Sequence, residues 1–242
     1  MSQRDQVFRD PQQQIVDFVF DDKVADVFPD MIRRSVPGYE TVIPVTGLLA
    51  ARHLQKSPGI PARAYDLGCS LGATTLALLR QLADEDCQVV AVDNSPSMIE
   101  RARANIQDAR VNFVCADIRA MEFAPAGVII MNYVLQFLPP DDRTGLLRRL
   151  REALAPRGLL ILSEKIRFDD PEEEAFYQAA HLDYKRANGY SDLEISQKRT
   201  ALENVMITDT EAAHRARFQQ AGFSRVRQWY RCLNWTSFLV SP

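Results

Sequence analysis

The segment Ala64-Tyr65-Asp66-Leu67-Gly68-Cys69-Ser70-Leu71-Gly72-Ala73 decides the fold of this chain. An apolar run with one acidic residue passes through two glycines into a helix-like run, Thr74 to Leu79. Glycine permits the tight turn that joins a strand to a helix. The segment therefore predicts a strand, a turn and a helix N-terminus, which is a usual place for a nucleotide-like ligand in an α/β sheet.

A second apolar run, Gln88 to Val92, ends in Asp93. A carboxylate at the end of this strand can accept both hydroxyl protons of a ribose. The glycine turn followed by this acidic residue indicates an adenosine-type cofactor.

Apolar runs and helix-like runs alternate through most of the chain. Runs that are apolar on both faces predict parallel strands covered by helices. The last two runs, Arg225 to Arg231 and Trp235 to Val240, predict an antiparallel hairpin. The expected fold class is a Rossmann-like α/β fold with a mostly parallel sheet. The predicted parallel strands are Arg63 to Leu67, Gln88 to Asp93, Val111 to Cys115, Gly127 to Asn132 and Leu159 to Ser163, and the helices start at Ala73, Pro96 and Asp141.

We expect a single domain over residues 1–242 with two helical additions. Residues 1–60 form an N-terminal cap, where Val24, Val27 and Met31 recur at helical spacing and Pro29 is expected to interrupt the helix. Residues 165–208 are more polar and predict a helical lid inserted after the fifth strand.

The composition disfavours several classes of partner. The 29 basic and 32 acidic residues give a net charge of -3, so direct binding to nucleic acid is not expected. Four cysteines and three histidines show no metal-ligand spacing, so no metal site is expected. The polar N-terminus and the lack of a run long enough to span a bilayer predict no membrane contact and a cytoplasmic location.

The glycine turn is compatible with three kinds of site. Gly68-Cys69-Ser70-Leu71-Gly72 matches a hydrolase nucleophile elbow with His214 as a distant base, although Asp66 and Asp93 argue against that hypothesis. A nicotinamide site favours glycine where Ser70 stands, because that glycine lets the backbone approach a pyrophosphate. An S-adenosyl ligand has no phosphates and fits the turn as it is.

Further polar residues follow the next two strands. Asp117, after the third strand, could accept a hydrogen bond from an adenine amino group while the neighbouring Ile118 packs on the ring. Asn132, after the fourth strand, could contact the amino-acid part of the ligand. Taken alone, Asp117 is better explained as a solvated loop residue or helix cap, and Asn132 is equally compatible with capping a turn.

The core resembles class I S-adenosylmethionine-dependent methyltransferases, and nearly the whole chain resembles the carboxy-S-adenosyl-L-methionine synthase family. The glycine turn is common to many methyltransferases, whereas the segments around Tyr39 and Arg199 are far more specific. The segments that carry the closer resemblance are Phe28-Pro29-Asp30-Met31-Ile32, Arg34-Ser35-Val36-Pro37-Gly38-Tyr39, Asp93-Asn94-Ser95-Pro96, Leu135-Gln136-Phe137-Leu138, Lys185-Arg186-Ala187-Asn188-Gly189-Tyr190-Ser191 and Glu194-Ile195-Ser196-Gln197-Lys198-Arg199.

This resemblance implies an enzyme that converts S-adenosylmethionine and prephenate into carboxy-S-adenosylmethionine and phenylpyruvate. The product would serve elsewhere to build the 5-oxyacetyl group on the wobble uridine of transfer RNA. The resemblance also implies a homodimer. The ligand-contacting residues that it implies are Tyr39, Gly68, Cys69, Ser70, Asp93, Asn94, Asp117, Ile118, Asn132 and Arg199.

In the chemistry implied, prephenate loses a carboxylate as carbon dioxide, the sulfonium methyl loses a proton, and the resulting ylide captures the carbon dioxide. The sequence offers no obvious protein base, so the departing substrate is expected to take the proton. Arg199 is expected to hold the new carboxylate as the catalytic residue, because a guanidinium is a planar fork suited to carboxylates. Lys198, Arg186 and Lys185 could add positive field, although a solvated helix face is the ordinary interpretation of Lys198.

Two other functions stay open. An ordinary small-molecule methyltransferase with the same cofactor would release S-adenosylhomocysteine, and a non-catalytic binding protein would retain its ligand without turnover. In a homodimer, Arg199 could act in its own site or in that of the neighbouring subunit.

Overall fold

A computed structural model describes residues 4–12, 14–57, 59, 61–82 and 87–242. Pro58 and Ile60, in the predicted entry to the first strand, and Met1 to Gln3 lie outside the described residues. Within those ranges, no helix has both the length and the apolar character needed to cross a membrane.

The sheet confirms the predicted fold class. In the described part of the chain its strand order is β3-β2-β1-β4-β5-β8-β7, with β6 paired to β5. Strands β1 to β5 are parallel, and β7 and β8 form the predicted antiparallel hairpin beside β5. The strand bounds are β1 Arg63–Leu67, β2 Gln88–Asp93, β3 Val111–Cys115, β4 Ala126–Asn132, β5 Leu154–Arg167, β6 Asp209–Thr210, β7 Arg225–Cys232 and β8 Trp235–Ser241.

Chain order reverses between β1 and β4, so a crevice opens at the carboxyl ends of these central strands. The helices flank the sheet and extend over that end. Their bounds are α1 Asp22–Ser35, α2 Tyr39–Lys56, α3 Ala73–Leu82, α4 Pro96–Asn105, α5 Pro140–Ala153, α6 Pro171–Ala187, α7 Asp192–Leu202 and α8 Glu211–Gln220, with a short 3-10 helix at Leu135–Phe137.

Alternating side chains of the central strands feed two separate cores. In β4, Ile129 and Met131 pack with α5 and α8, while Val128 and Ile130 pack on the other face with α2, α3 and α4. A strand places successive side chains on opposite faces, so strands that are apolar throughout must be covered on both sides. This explains why the central strands contain so few polar residues.

The prediction that Pro29 interrupts the first helix is wrong. Helix α1 runs unbroken through Pro29, although a proline nitrogen has no hydrogen to donate to the preceding turn. Buried side chains on both sides of the proline, including Val27 and Met31, anchor the helix to the rest of the cap. Apolar burial along the whole face outweighs one missing hydrogen bond.

Strand β5 is also longer than the predicted Leu159 to Ser163. Its carboxyl half continues to Arg167 because β8 and β6 supply partners beyond β4. At its start, Leu154 pairs with Ala126 and Leu159 pairs with Val128. The chain therefore advances five residues along β5 but only two along β4 between these pairs, which is a bulge in β5. The bulge takes up Pro156, which cannot donate to a strand ladder.

The lid helices α6 and α7 confirm the predicted helical character of the segment after β5. The N-terminal segment binds directly to α7. The Gln197 amide donates to the carbonyls of Phe8 at 2.9 Å and Asp10 at 3.0 Å, and the Phe18 N–H donates to the Ala201 carbonyl at 2.9 Å. Cap and lid therefore meet over the carboxyl end of the sheet.

Candidate functional site

The glycine turn after β1 folds over the end of β2. The N–H groups of Gly68 and Cys69 donate to the Val92 carbonyl at 2.7 and 2.9 Å. Gly68 has φ +73°, and a Cβ there would lie 2.2 Å from Val134 Cγ2. The turn thus requires glycine for both its backbone conformation and its contact with the loop after β4.

Asp93 ties this turn to the next helix. One carboxylate oxygen accepts the Ser70 N–H at 2.9 Å, and the other accepts the Ser95 N–H at 2.9 Å. Burial raises the pKa of Asp93, and hydrogen bonds from backbone N–H groups offset part of this increase. Each oxygen retains a second lone pair, so the same carboxylate can accept ribose hydroxyl protons.

Asp66 has a different role from the one at Asp93. It is buried, and its carboxylate accepts the Thr75 hydroxyl at 2.6 Å, which fixes the start of α3 against β1. Burial raises the pKa of Asp66 to about 6. Asp66 therefore stabilises the glycine turn from the core side by holding the start of α3, while Asp93 faces the crevice.

A cavity of about 830 Å³ opens at the carboxyl ends of β1, β2 and β4. Its walls bring together nine of the ten ligand-contacting residues expected from the sequence. These nine are Tyr39, Gly68, Cys69, Ser70, Asp93, Asn94, Asp117, Ile118 and Asn132. The volume suits a ligand of nucleoside size together with a second small molecule.

Asn132 provides an observation that favours an amino-acid moiety in the cavity. Its side-chain N–H contacts the Thr74 hydroxyl at 3.2 Å, while its Oδ1 is buried without a hydrogen-bond partner among the described residues. A buried acceptor without a partner is costly unless a ligand supplies a donor. The ammonium group of an S-adenosylmethionine would be such a donor, so these residues fit that molecule.

Cys69 and Tyr39 contribute surface to the cavity rather than acid–base chemistry. Burial raises the pKa of the Cys69 thiol and of the Tyr39 hydroxyl, so both groups stay protonated near neutral pH. The Tyr39 ring lies 6.3 Å from that of Tyr133, and the Tyr133 ring lies 5.2 Å from that of Trp235. These rings form an aromatic row along the cavity.

Asp117 lines the cavity but already has a partner. Its carboxylate forms an ion pair with Arg119 at 2.7 Å, and Arg119 also contacts Asp142 at 2.9 Å. The hydrogen bonds from Arg119 lower the pKa of Asp117. Ile118 is buried beside it, as expected for a residue that packs against a ring.

Glu164 holds the loop after β4, a contribution that the sequence did not indicate. Its buried carboxylate accepts the N–H groups of Val134 at 3.1 Å, Leu135 at 2.8 Å and Gln136 at 3.1 Å. Burial raises the pKa of Glu164 to about 8, against these hydrogen bonds. Tyr133, at the start of the loop, has φ +64°. Glu164 thereby fixes a strained loop that lines the cavity.

Positive side chains from β5, α6 and α7 line another part of the cavity, which Arg33 of α1 also borders. They are Lys165, Lys185 and Lys198, together with the neutral His181. The His181 Nε2 lies 2.8 Å from the Ser35 carbonyl, which can only accept a hydrogen bond. Burial, followed by the neighbouring lysines, lowers the pKa of His181 to about 3, so it is a poor proton acceptor. Lys165 was not singled out from the sequence, because its polar character matches that of any strand end.

The interpretation of Lys198 as part of a solvated helix face is wrong. Lys198 is buried and lines the cavity, whereas Arg199 is exposed on α7 and outside the cavity wall. Arg186 is also exposed, with ion pairs to Asp183 at 2.7 Å and Asp192 at 2.8 Å. Successive residues on a helix point about 100° apart, so only one of Lys198 and Arg199 can face inward.

The hydrolase hypothesis fails on geometry. His214 is buried on α8, with its ring 6.3 Å from Phe218 and 6.1 Å from Phe238, and it does not line the cavity with Ser70. Burial lowers the pKa of His214 to about 4. The described residues also contain no group of three His, Cys, Asp or Glu side chains that could hold a metal.

Gly68→Ala should impair ligand binding, because the added methyl meets Val134 and the φ of +73° strains any other residue by about 1–3 kcal/mol. We expect the affinity for S-adenosylmethionine to fall at least about tenfold in calorimetry. Gly145→Ala is the matched control, since a Cβ at Gly145 in α5 has open space around it. Equal affinities for Gly68→Ala and the wild type would contradict this account of the turn.

Lys185→Met should change how stability depends on pH. Burial, then Lys198 and Lys165, lower the pKa of Lys185 from 10.5 to about 7. Below pH 7 both folded and unfolded states are protonated, and the folded state bears the full cost of the buried charge. Between pH 7 and pH 10.5 the unfolded chain binds more protons than the folded chain, so the cost of the charge in the folded state diminishes as pH rises.

Without ligand, Lys185→Met should therefore be more stable than the wild type near pH 6.5, by on the order of 1 kcal/mol. The difference should shrink towards pH 10. Urea denaturation across this range measures it, with Lys56→Met at an exposed position as the control. A stability difference that is independent of pH would contradict the assignment.

Comparison with known proteins first supports the fold. Residues 64–158 match the family described as a methyltransferase domain. An O-methyltransferase family protein from Burkholderia thailandensis aligns with a TM-score of 0.66 at 18% identity, covering 92% of this chain and 60% of that chain. Human N-acetylserotonin methyltransferase, solved with S-adenosylmethionine, aligns with a TM-score of 0.62 at 15% identity, covering 91% and 55%. The chain spans under two thirds of each, and such identities show the class I methyltransferase fold alone.

Two relatives are similar over their whole length. A protein of Pseudomonas aeruginosa (strain UCBPP-PA14) is 51% identical over 250 residues, covering 100% of both chains. A protein of Geobacter sp. (strain M21) is 50% identical over 241 residues, covering 98% of this chain and 97% of its own. Both relatives are named carboxy-S-adenosyl-L-methionine synthase. With this identity along its full length, the chain belongs to the carboxy-S-adenosyl-L-methionine synthase family.

Proposed function

We propose that this protein converts S-adenosylmethionine and prephenate into carboxy-S-adenosylmethionine and phenylpyruvate. The observation that carries the proposal is the extent of the chain over which it is similar to the named synthases. It covers the cap and the lid as well as the methyltransferase core. Cap and lid supply Tyr39, Lys185 and Lys198 to the cavity wall, so the similarity to the synthases includes the parts that complete the cavity outside the methyltransferase core.

The residues of the acidic half of the cavity would hold the S-adenosyl ligand. Asp93 would accept the ribose hydroxyls, and Asp117 with Ile118 would receive the adenine ring. Asn132 would use its unpartnered Oδ1 for the ammonium group of the methionine moiety. The N–H groups and side chains of the glycine turn would flank the sulfonium.

The proposed reaction balances without a redox partner. In prephenate the bond between the ring and its carboxylate breaks, its electron pair enters the ring, and the ring hydroxyl leaves as hydroxide. That hydroxide removes a proton from the sulfonium methyl to give water and an ylide. The ylide carbon then forms a bond with the released carbon dioxide, and phenylpyruvate remains.

This chain's residues support the scheme by excluding water and by keeping His181 neutral. The His181 pKa of about 3 keeps the ring neutral near neutral pH, so no imidazolium is present to protonate an ylide. The aromatic row and the buried neighbours of the glycine turn give the cavity apolar walls. A closed, dry site favours capture of carbon dioxide over its escape.

Mass spectrometry of the released small molecule tests the reaction. Protein incubated with S-adenosylmethionine and prephenate, then denatured, should release a ligand heavier than S-adenosylmethionine by one carboxyl group, together with phenylpyruvate. Unchanged S-adenosylmethionine would refute the synthase proposal and leave a binding protein. S-adenosylhomocysteine formed with an acceptor would indicate a methyltransferase instead.

We also propose that the protein is a homodimer in which Arg199 holds the new carboxylate in the partner's site. Arg199 is exposed and outside its own cavity, and apolar side chains of the lid are exposed nearby in the chain, with Phe176 at 66% and Leu193 at 41%. A second copy that covers the lid would bury these side chains. The same contact could carry the guanidinium into a neighbouring cavity.

Mixed dimers test this arrangement. Asp93→Ala removes the ribose acceptor from one subunit, and Arg199→Ala removes the carboxylate fork from the other. If Arg199 acts across the interface, each mixed dimer contains one intact site, and random pairing should restore about a quarter of wild-type activity. No recovery, despite subunit exchange shown by differently tagged chains, would place Arg199 in its own site. A monomer in light scattering would refute both statements.

The product of the proposed reaction would supply the carboxymethyl group for the wobble uridine of transfer RNA through another enzyme. The net charge of -3 supports a role in making a small metabolite rather than in binding RNA. The cytoplasm is the proposed location, and the exposed Cys115 thiol is compatible with a reducing compartment.

A further inference from the structure

We infer that Lys165 and Lys185 form a subsite for a dicarboxylate, one ammonium group for each carboxylate of the second substrate. Lys198 completes the wall beside them without itself being the receptor. The inference rests on the proposed function for the identity of the dicarboxylate, prephenate.

Lys165 and Lys185 come from different elements and face the same cavity. Lys165 lies at the end of β5 and Lys185 near the end of α6. Among the described residues, no acidic group lies within ion-pair distance of either ammonium. Glu174 acts on Lys165 only at longer range, and the charges that act on Lys185 are all positive.

Lys198 differs because its charge is already compensated. Its ammonium lies 3.8 Å from the Asp5 carboxylate and donates to the Ser35 hydroxyl at 3.0 Å. It also lies 5.4 Å from the Tyr190 ring centre. These contacts hold Lys198 in place and leave Lys165 and Lys185 as the lining ammonium groups without a fixed counter-charge.

An S-adenosylmethionine alone gives no reason for this arrangement. Its sulfonium, ammonium and carboxylate sum to one positive charge, so further ammonium groups close by would disfavour its binding. The pKa of Lys165 falls through burial, and that of Lys185 falls to about 7 through burial and its positive neighbours. Two half-buried, mutually repelling cations are costly, and a dianion between them reverses that cost.

The aromatic row connects this subsite to the adenosyl half. It runs from Tyr39 through Tyr133 and Trp235 to His181, whose ring lies 5.9 Å from that of Trp235. Prephenate bears both carboxylates on one side of its six-membered ring, one directly on a ring carbon and the other at the end of the pyruvyl arm on that same carbon. Its ring can lie on this surface while both charges meet lysines. Binding in this position brings the carboxylate that is lost near the sulfonium methyl.

Methionine substitutions test the subsite, since methionine keeps an unbranched stem and removes the charge. Lys165→Met and Lys185→Met should each raise the KM for prephenate at least tenfold, and the double variant at least a hundredfold. The calorimetric Kd for S-adenosylmethionine should stay within threefold or tighten, because repulsion is removed. Lys56→Met is the matched control on an exposed part of α2.

Phenylpyruvate supplies a second measurement, because it retains only one of the two carboxylates. The inhibition constant of phenylpyruvate should rise in either Lys165→Met or Lys185→Met and stay unchanged in the other of these two variants. Prephenate KM values within twofold of wild type, or equal losses for S-adenosylmethionine and prephenate, would overturn the subsite. Lys185→Arg keeps the charge and should retain part of the affinity, whereas a merely structural Lys185 would give equal losses in the Met and Arg variants.

Failure of the proposed function would look different. If wild-type protein makes no carboxylated product, the reaction is refuted, and the subsite is then decided by titrating prephenate into protein loaded with S-adenosylmethionine. Heat that disappears in the double variant supports the lysines. Equal binding by wild type and double variant overturns them.

Discussion

The Asp93 carboxylate is the interaction on which the rest of the site depends. Its two oxygens hold the Ser70 and Ser95 N–H groups, so one side chain joins the glycine turn after β1 to the start of α4 after β2. Beneath it, Asp66 fixes α3 through the Thr75 hydroxyl. The carboxyl ends of β1 and β2 are therefore held in one conformation before any ligand arrives, as preorganised binding requires.

The cavity has two electrostatic halves, and each arises from a different part of the chain. The methyltransferase core contributes carboxylates, such as Asp93, that suit the hydroxyls and positive charge of an adenosyl ligand. The lid contributes Lys185 and Lys198, which suit an anion. A cationic ligand and an anionic ligand can thus lie side by side with their charges matched. Methyl transfer to a neutral acceptor would not require the lysine-lined half of the cavity.

The sequence predicted most of the fold and the core half of the site for physical reasons. Apolar runs of strand length and the glycines at 68 and 72 determine local structure strongly, so β1, β2 and the turn were confirmed close to their predicted bounds. Nine of ten expected ligand residues line the cavity. Eight of them lie at or just after the carboxyl ends of parallel strands, whereas Tyr39 is the first residue of α2. The break expected at Pro29 failed because packing along α1 outweighs the missing donor.

What the sequence could not indicate depends on long-range contacts. Glu164 and Lys165 are consecutive, yet the first holds the loop after β4 and the second lines the cavity, a division set by which face of β5 each occupies. The burial of Lys198 depends on Asp5, almost two hundred residues earlier, closing over α7. The local sequence of α7 does not indicate that Lys198 faces inward and Arg199 faces outward.

Isotope transfer between the two halves of the cavity tests the account most directly. Prephenate labelled with carbon-13 in its ring carboxylate would be incubated with the protein and S-adenosylmethionine in buffer containing excess unlabelled bicarbonate. Carboxy-S-adenosylmethionine that carries the label undiluted is the expected result, because the carbon dioxide forms and is captured in one cavity. An unlabelled or diluted product, or none, would contradict the account.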